Sequence, residues 1–123
     1  MSLLNQPCQN LLTLYVRNQY KVMHVISQSR LKKFWLKHPQ AEVGLRIWYK
    51  ISSKAKWQLP TDVQQTFNNK VDIVKNFTVF NIGGNKYRLI TYIDYERNKI
   101  FIRDVLTHSE YDKNRWKQDN WYK

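Results

Sequence analysis

Between Thr78 and Ile93 the sequence TVFNIGGNKYRLITYI alternates apolar and polar residues about a pair of glycines, and this stretch limits the fold most tightly. Alternation of this kind belongs to a half-buried strand, and the glycines supply turn chemistry, so the stretch is predicted to be a β-hairpin. Its register decides which face each side chain takes, because a slip of one residue exchanges the two faces. With Gly84-Asn85 as a two-residue loop, glycine holds the first central position, as a type II′ turn requires. Ile82 then opposes Tyr87, Asn81 opposes Arg88 and Phe80 opposes Leu89. Phe80, Ile82, Tyr87, Leu89 and Ile93 share one face, and Asn81, Lys86 and Arg88 gather on the other, near the turn. A Gly83-Gly84 loop would oppose Ile82 to Asn85 and mix polar with apolar, so the first register is preferred.

The period of the pattern changes along the chain. MHVIS, from Met23, is a short strand, with Ser27 or Ser29 as cap for the helix after it. In SRLKKFWLKH the residues Leu31, Phe34 and Trp35 recur at helical spacing, and Pro39 ends the helix. A second helix follows in QAEVGLRIWYKISSKAKW, where Val43, Ile47, Trp48 and Ile51 form the apolar stripe and Arg46, Lys50, Lys54 and Lys56 a basic flank. LPTDVQQTF reads as a proline-led turn or short helix capped by Thr61 or Asp62. From Lys70 the period becomes two, with strands in KVDIVKN, Thr78 to Ile82, Lys86 to Tyr95 and Lys99 to Leu106. The expected fold is α+β, with N-terminal helices packed on one face of a twisted antiparallel β-sheet. After Leu106 a loop and a short terminal helix are expected.

A chain of 123 residues is one domain's worth. Its net charge of +12 does not help a compact core and is suited to attracting a polyanion, nucleic acid first and an anionic membrane second. No apolar run approaches the roughly 20 residues of a membrane helix, and LLTLYV is too short for a signal peptide, so a cytoplasmic protein is expected. Cys8 is the single cysteine, and His24, His38 and His108 show no metal-ligand spacing, so chemistry without metal or cofactor is expected. Residues 1–22 hold two cations, no acids and no clean period, and a second methionine, Met23, follows them. They are read as a leader or loose arm, with a single domain over residues 23–123.

The ERNK turn places the remaining functional residues. A two-residue Arg97-Asn98 loop pairs Tyr92 with Arg103 and Arg88 with Thr107, which brings His108 to Arg88's end of the sheet. Tyr111 comes three residues later. The patch is then Asn81, Lys86, Arg88, Tyr92, Arg103, His108 and Tyr111 on a concave face that binds phosphate, with Lys54 and Lys56 as further RNA contacts. Cleaving RNA without a metal needs one group to take the 2′-OH proton, another to protonate the leaving 5′ oxygen, and fixed cations for the phosphate charge. Imidazole exchanges protons near neutral pH, which suits His108 to either transfer. Arg88 offers a planar fork matched to phosphate and Lys86 a point charge. Tyr111 is suited to stacking on a base, donating a hydrogen bond or orienting the histidine. Each residue also has a plainer reading: His108 as a cap or surface residue, Arg88 paired with Asp104 or Glu110, and the lysines as a solvated face.

VFNIGGNKYRLI, followed some 20 residues on by IRDVLTHSEYDK, resembles the signature of the HigB-type mRNA interferase toxins of the RelE-like superfamily. AKWQLPTDVQQTF and MHVIS resemble the family's helix-to-strand segment and its start, so the likeness runs from about Met23 to Trp121. The resemblance implies a RelE-like fold and a type II toxin that cuts mRNA, commonly on the ribosome. It also implies a HigA-like antitoxin with a helix-turn-helix domain. Position by position it implies that Arg88 contacts phosphate, His108 is the general acid and Tyr111 orients or stacks. Asp104 stands where an apolar residue is expected. A rival reading is a basic RNA- or ribosome-binding module without catalysis, which would not need His108. A third is a structural subunit of a DNA-binding complex, for which the sequence offers no recognition helix.

Overall fold

The computed structural model describes residues 21–123, so the reading of residues 1–22 as a leader lies almost wholly outside the described residues. Strand β1 (His24–Ile26) leads into α1 (Ser29–Lys37), a 3₁₀ turn (Pro39–Ala41), α2 (Glu42–Ser52) and α3 (Pro60–Thr66). Strands β2 (Val71–Val74), β3 (Phe77–Ile82), β4 (Tyr87–Asp94) and β5 (Lys99–Thr107) follow, then α4 (His108–Asp112) and two 3₁₀ turns (Arg115–Gln118 and Asn120–Tyr122). The sheet order is β1-β5-β4-β3-β2, antiparallel throughout except that β1 runs parallel to β5. The expected α+β class with its helical first half is what forms.

The hairpin has the preferred register: Ile82 pairs with Tyr87, Asn81 with Arg88 and Phe80 with Leu89. Gly83 and Gly84 both hold positive φ, 62° and 71°, which side chains with a Cβ rarely adopt. The register of the next pair differs from expectation. Asp94 pairs with Lys99, so four residues form the loop, with Asn98 at φ 56°. Tyr92 therefore pairs with Phe101 and Arg88 with Leu106. Between Ile90 and Thr91 the partners jump from Asp104 to Ile102, leaving Arg103 as the extra residue of a β-bulge.

The helices cover one face of the sheet. Leu31, Leu45, Trp48 and Val63 pack there against Phe80, Leu89, Ile93 and Ile100 in the larger core. Met23 belongs to it too, 1% exposed, and its N–H donates to the Ala55 carbonyl at 2.9 Å. The stripe of α2 is not the expected one. Leu45, Trp48 and Ser52 face inward, whereas Val43 and Ile47 are 69% and 54% exposed and Ile51 is 38% exposed. A helix apolar over so wide an arc fits the sheet by more than one of its sides. Caps differ too. Neither serine side chain caps α1, whose N-cap is Gln28, and α3 starts at Pro60 with the Asp62 carboxylate accepting from the Gln58 and Leu59 N–H groups at 2.8 and 3.1 Å.

The second face is not the open concave surface that the alternation suggested. The C-terminal 3₁₀ turns fold across it, and Trp116 joins Phe77, Val79 and Ile90 in a smaller core, with Tyr92, Tyr111 and Tyr122 packed around them. The Trp116 indole stacks on Tyr111 and meets Tyr122 edge-on, arrangements that contribute about 0.5–1.5 kcal/mol each beyond area burial.

Candidate active site

The hairpin turn and α4 come together at one end of the sheet. Register puts Tyr87 opposite Thr107, the residue before α4, and the His108 N–H donates to the Lys86 carbonyl at 2.9 Å. Thr107 is the N-cap: its Oγ1 accepts from the Glu110 N–H at 3.2 Å, and the Glu110 carboxylate accepts from the Thr107 N–H at 2.9 Å. This reciprocal pair fixes the start of α4 and so the position of His108.

Arg88 is 9% exposed. Its Nη1 donates to the carbonyls of Asn85 and Tyr87 at 3.0 and 3.2 Å, and its Cζ lies 5.3 Å from the centroid of the Tyr111 ring. Arg88 makes no ion pair among the described residues, so neither Asp104 nor Glu110 neutralises it. Backbone carbonyls hold one edge of the guanidinium, and Nε and Nη2 make no hydrogen bond among the described residues. A buried cation is costly without an anion, and its free donors match phosphate oxygens. Tyr111 is stacked on Trp116 with centroids 5.0 Å apart and planes 8° from parallel. Burial and then the charge of Asp72 push its phenol above the ordinary tyrosine range, partly offset by Arg88. It stays a hydrogen-bond donor at neutral pH.

His108 is half exposed, and its Nδ1 lies 2.9 Å from Asp112 Oδ2. A carboxylate beside Nδ1 turns Nε2 toward the open side of the ring. Sequence reasoning missed Asp112, although its i, i+4 spacing from His108 carried the signal once a helix was placed there. It also missed Trp116, the platform for Tyr111, and Gln40, whose Oε1 accepts from Lys86 Nζ at 3.4 Å. Asn81 stands opposite Arg88, half-buried, and its Oδ1 is buried without a hydrogen-bond partner.

The other candidates are placed elsewhere. Arg103, the bulge residue, forms a two-bond pair with Asp119 at 2.8 and 2.9 Å, and its Cζ sits 3.9 Å over the Trp121 ring. Tyr92 packs on Phe101 and Trp121. The expected pairing of these two around bound phosphate gives way, because the bulge and the longer loop change the register and the C-terminal turns occupy the space. Asp104 is exposed; its Oδ1 accepts from the Val105 N–H, and desolvation by its surroundings pushes its carboxyl above the ordinary range. Lys54 and Lys56 follow α2 beside Ala55 and Met23, at the end of the sheet where β1 begins. Six residues of β4 separate that end from Arg88, roughly 20 Å. The structure thus brings together Asn81, Lys86, Arg88, His108 and Tyr111, and leaves Tyr92, Arg103, Lys54 and Lys56 outside the cluster. Among the described residues no group of three or more His, Cys, Asp or Glu could hold a metal ion, and no helix is long and apolar enough to cross a membrane.

Residues 41–114 match the HigB_toxin family, described as the RelE-like toxic component of a toxin-antitoxin system. The matched stretch contains the whole cluster from Asn81 to Tyr111. The mRNA interferase toxin HigB of Escherichia coli (strain K12) is 34% identical over 93 residues, which cover 73% of this chain and 88% of that protein. The mRNA interferase HigB of Escherichia coli O6:H1 (strain CFT073) is 29% identical over 94 residues, 74% of this chain and 90% of that protein.

Proposed function

The chain belongs to the HigB family of RelE-like toxins, the toxic components of toxin-antitoxin systems, and from that membership we propose that it is a metal-independent endoribonuclease. Its substrate is mRNA on translating ribosomes, and Arg88, His108 and Tyr111 carry the reaction. The supporting observation is a buried Arg88, free of any carboxylate among the described residues, at the same sheet end as an exposed His108. In the reaction the 2′ oxygen attacks phosphorus, so that the O2′–P bond forms as the P–O5′ bond breaks. The 2′ proton leaves to a base, and His108 as imidazolium delivers a proton to the 5′ oxygen. Nε and Nη2 of Arg88 receive the charge that grows on the non-bridging oxygens, with Lys86 as a second cation. Tyr111, held flat on Trp116, stacks on a base or donates to the phosphate. Lys54 and Lys56, far from the cut bond, are assigned to RNA beyond it.

The partner that neutralises the toxin is proposed to be HigA-like, with a helix-turn-helix domain, the functional domain to span residues 23–123, and the compartment to be the cytoplasm. The test is incubation of the purified full chain with mRNA, alone and in a translating extract, with the ends of the products identified. Cleavage that leaves 2′,3′-cyclic phosphate and 5′-OH ends is the expected result. Products with 3′-OH and 5′-phosphate ends, which metal-activated water leaves, contradict the metal-free reading, and RNA binding without cutting supports a non-catalytic module instead.

A further inference from the structure

The outward side of α2 is an exposed apolar face that the proposed reaction leaves unused. Val43, Ile47 and Ile51 recur every fourth residue and form one exposed ridge, about 12 Å long at 1.5 Å per residue. Beside the ridge lies a groove of about 230 Å³ lined by Trp48, Phe67, Phe80 and Ile82, with Lys70 at its rim and Gly83 at its end. Gly83 opens the turn that carries Lys86 and Arg88. The helix is pressed close to that turn, since a Cβ on Gly44 would lie 2.8 Å from Ile82 Cγ2 and 3.1 Å from the Gly83 nitrogen. A ridge and groove of this spacing fit an amphipathic helix with anchors at i, i+3 or i+4 and i+7.

Charge selects the occupant. The cations beside this face are Lys50, Lys54 and Lys70; Arg46 and the one acid on α2, Glu42, are already paired with each other at 2.7 Å. A second copy of this chain brings another +12. The chain's own residues 1–22 contain apolar LLTLYV but no acid. An acidic partner complements both the ridge and the rim, and the toxic component of a toxin-antitoxin system has an antitoxin as its partner. We propose that the Val43–Ile47–Ile51 face of α2 and its groove are where the antitoxin docks an acidic amphipathic helix, beside the catalytic turn and not over His108. This rests on the toxin reading above.

The test uses the full chain with Val43→Glu and Ile47→Glu together, both at exposed positions, and as probe a genetically encoded acidic amphipathic helix with leucines at i, i+4 and i+7. Calorimetric titration is expected to show a Kd at least 100-fold weaker for the double variant at an unchanged Tm. In cells the variant is expected to arrest growth like the wild type and to go on doing so when the probe is co-expressed. Equal affinity and equal rescue overturn the docking site. So does a dimer of the wild type that the substitutions dissociate, which makes a second copy the occupant, or a gain in probe affinity on Leu11→Glu and Leu12→Glu, which makes residues 1–22 the occupant. If the wild type arrests no growth, the toxin reading fails, and the titration still decides where the probe binds.

Discussion

Arg88 and Arg103 lie on the same face of the sheet, on neighbouring strands, yet their surroundings differ in kind. Arg103, in the middle of the face, is closed off on every side that matters: Asp119 takes two of its donors and Trp121 lies across its plane. Arg88, at the turn end, has carbonyls on one edge, an aromatic ring beside it and no carboxylate among the described residues. The first arrangement neutralises a charge within the fold and makes it cement for the C-terminal turns. The second holds a charge in place and leaves it to be neutralised by something else. A phosphate of the substrate is that anion in the proposed reaction.

The largest expected effect lies on the turn side. His108→Ala is expected to slow cleavage by about 10²–10⁴-fold while leaving Tm within a degree or two, since the side chain is half exposed. Initial rates on a defined message decide this, and a rate within threefold of wild type would remove His108 from the mechanism. The next sharpens Arg88's dependence on turn geometry. Alanine usually stabilises a helix relative to glycine, but Gly44→Ala forces a Cβ against Ile82 and the Gly83 backbone. Thermal unfolding should show a loss of about 1–3 kcal/mol, with cleavage reduced as the turn shifts. A gain in stability would show that the turn yields freely.

Asp119→Asn tests the other arginine and should be smallest, about 1–2 kcal/mol of stability with cleavage unchanged below Tm. Hydrogen bonds from Arg103 hold the Asp119 carboxyl below its ordinary value near 3.8, with the Trp121 N–H and the charges of Arg103 and Arg30 adding to the effect. The stability it contributes is therefore present above pH 4 and lost as pH falls through the lowered value. Denaturant titrations between pH 5 and 2 should show a shallower acid loss in the variant. Identical pH curves would mean that the pair contributes nothing.

How legible these two sites were follows from local chemistry. The hairpin could be read because alternation and two glycines agree on one register, and Lys86, Arg88 and Asn81 came with it. The 107–111 end could be placed because strand pairing tolerates a slip of one residue without moving His108 away from Lys86. Arg103 could not be placed, because no glycine or proline marks the bulge after Ile90 and the longer loop shifts every partner of Tyr92. Trp116, Trp121 and Tyr122 show no period, so nothing in the pattern said that the tail closes the second face. On α2 the expected stripe is right for Trp48, which faces in, and wrong for Val43, Ile47 and Ile51, which face out while Leu45 takes their place in the core.

The measurement that goes most directly to the centre is Arg88→Ala beside Arg103→Ala, each assayed for mRNA cleavage and for Tm. Arg88→Ala is expected to lose about 10²–10³-fold in rate at a temperature where it is fully folded, and Arg103→Ala to lose Tm while its folded fraction cuts at the wild-type rate. The reverse pattern, or equal loss of rate in both, would contradict the account.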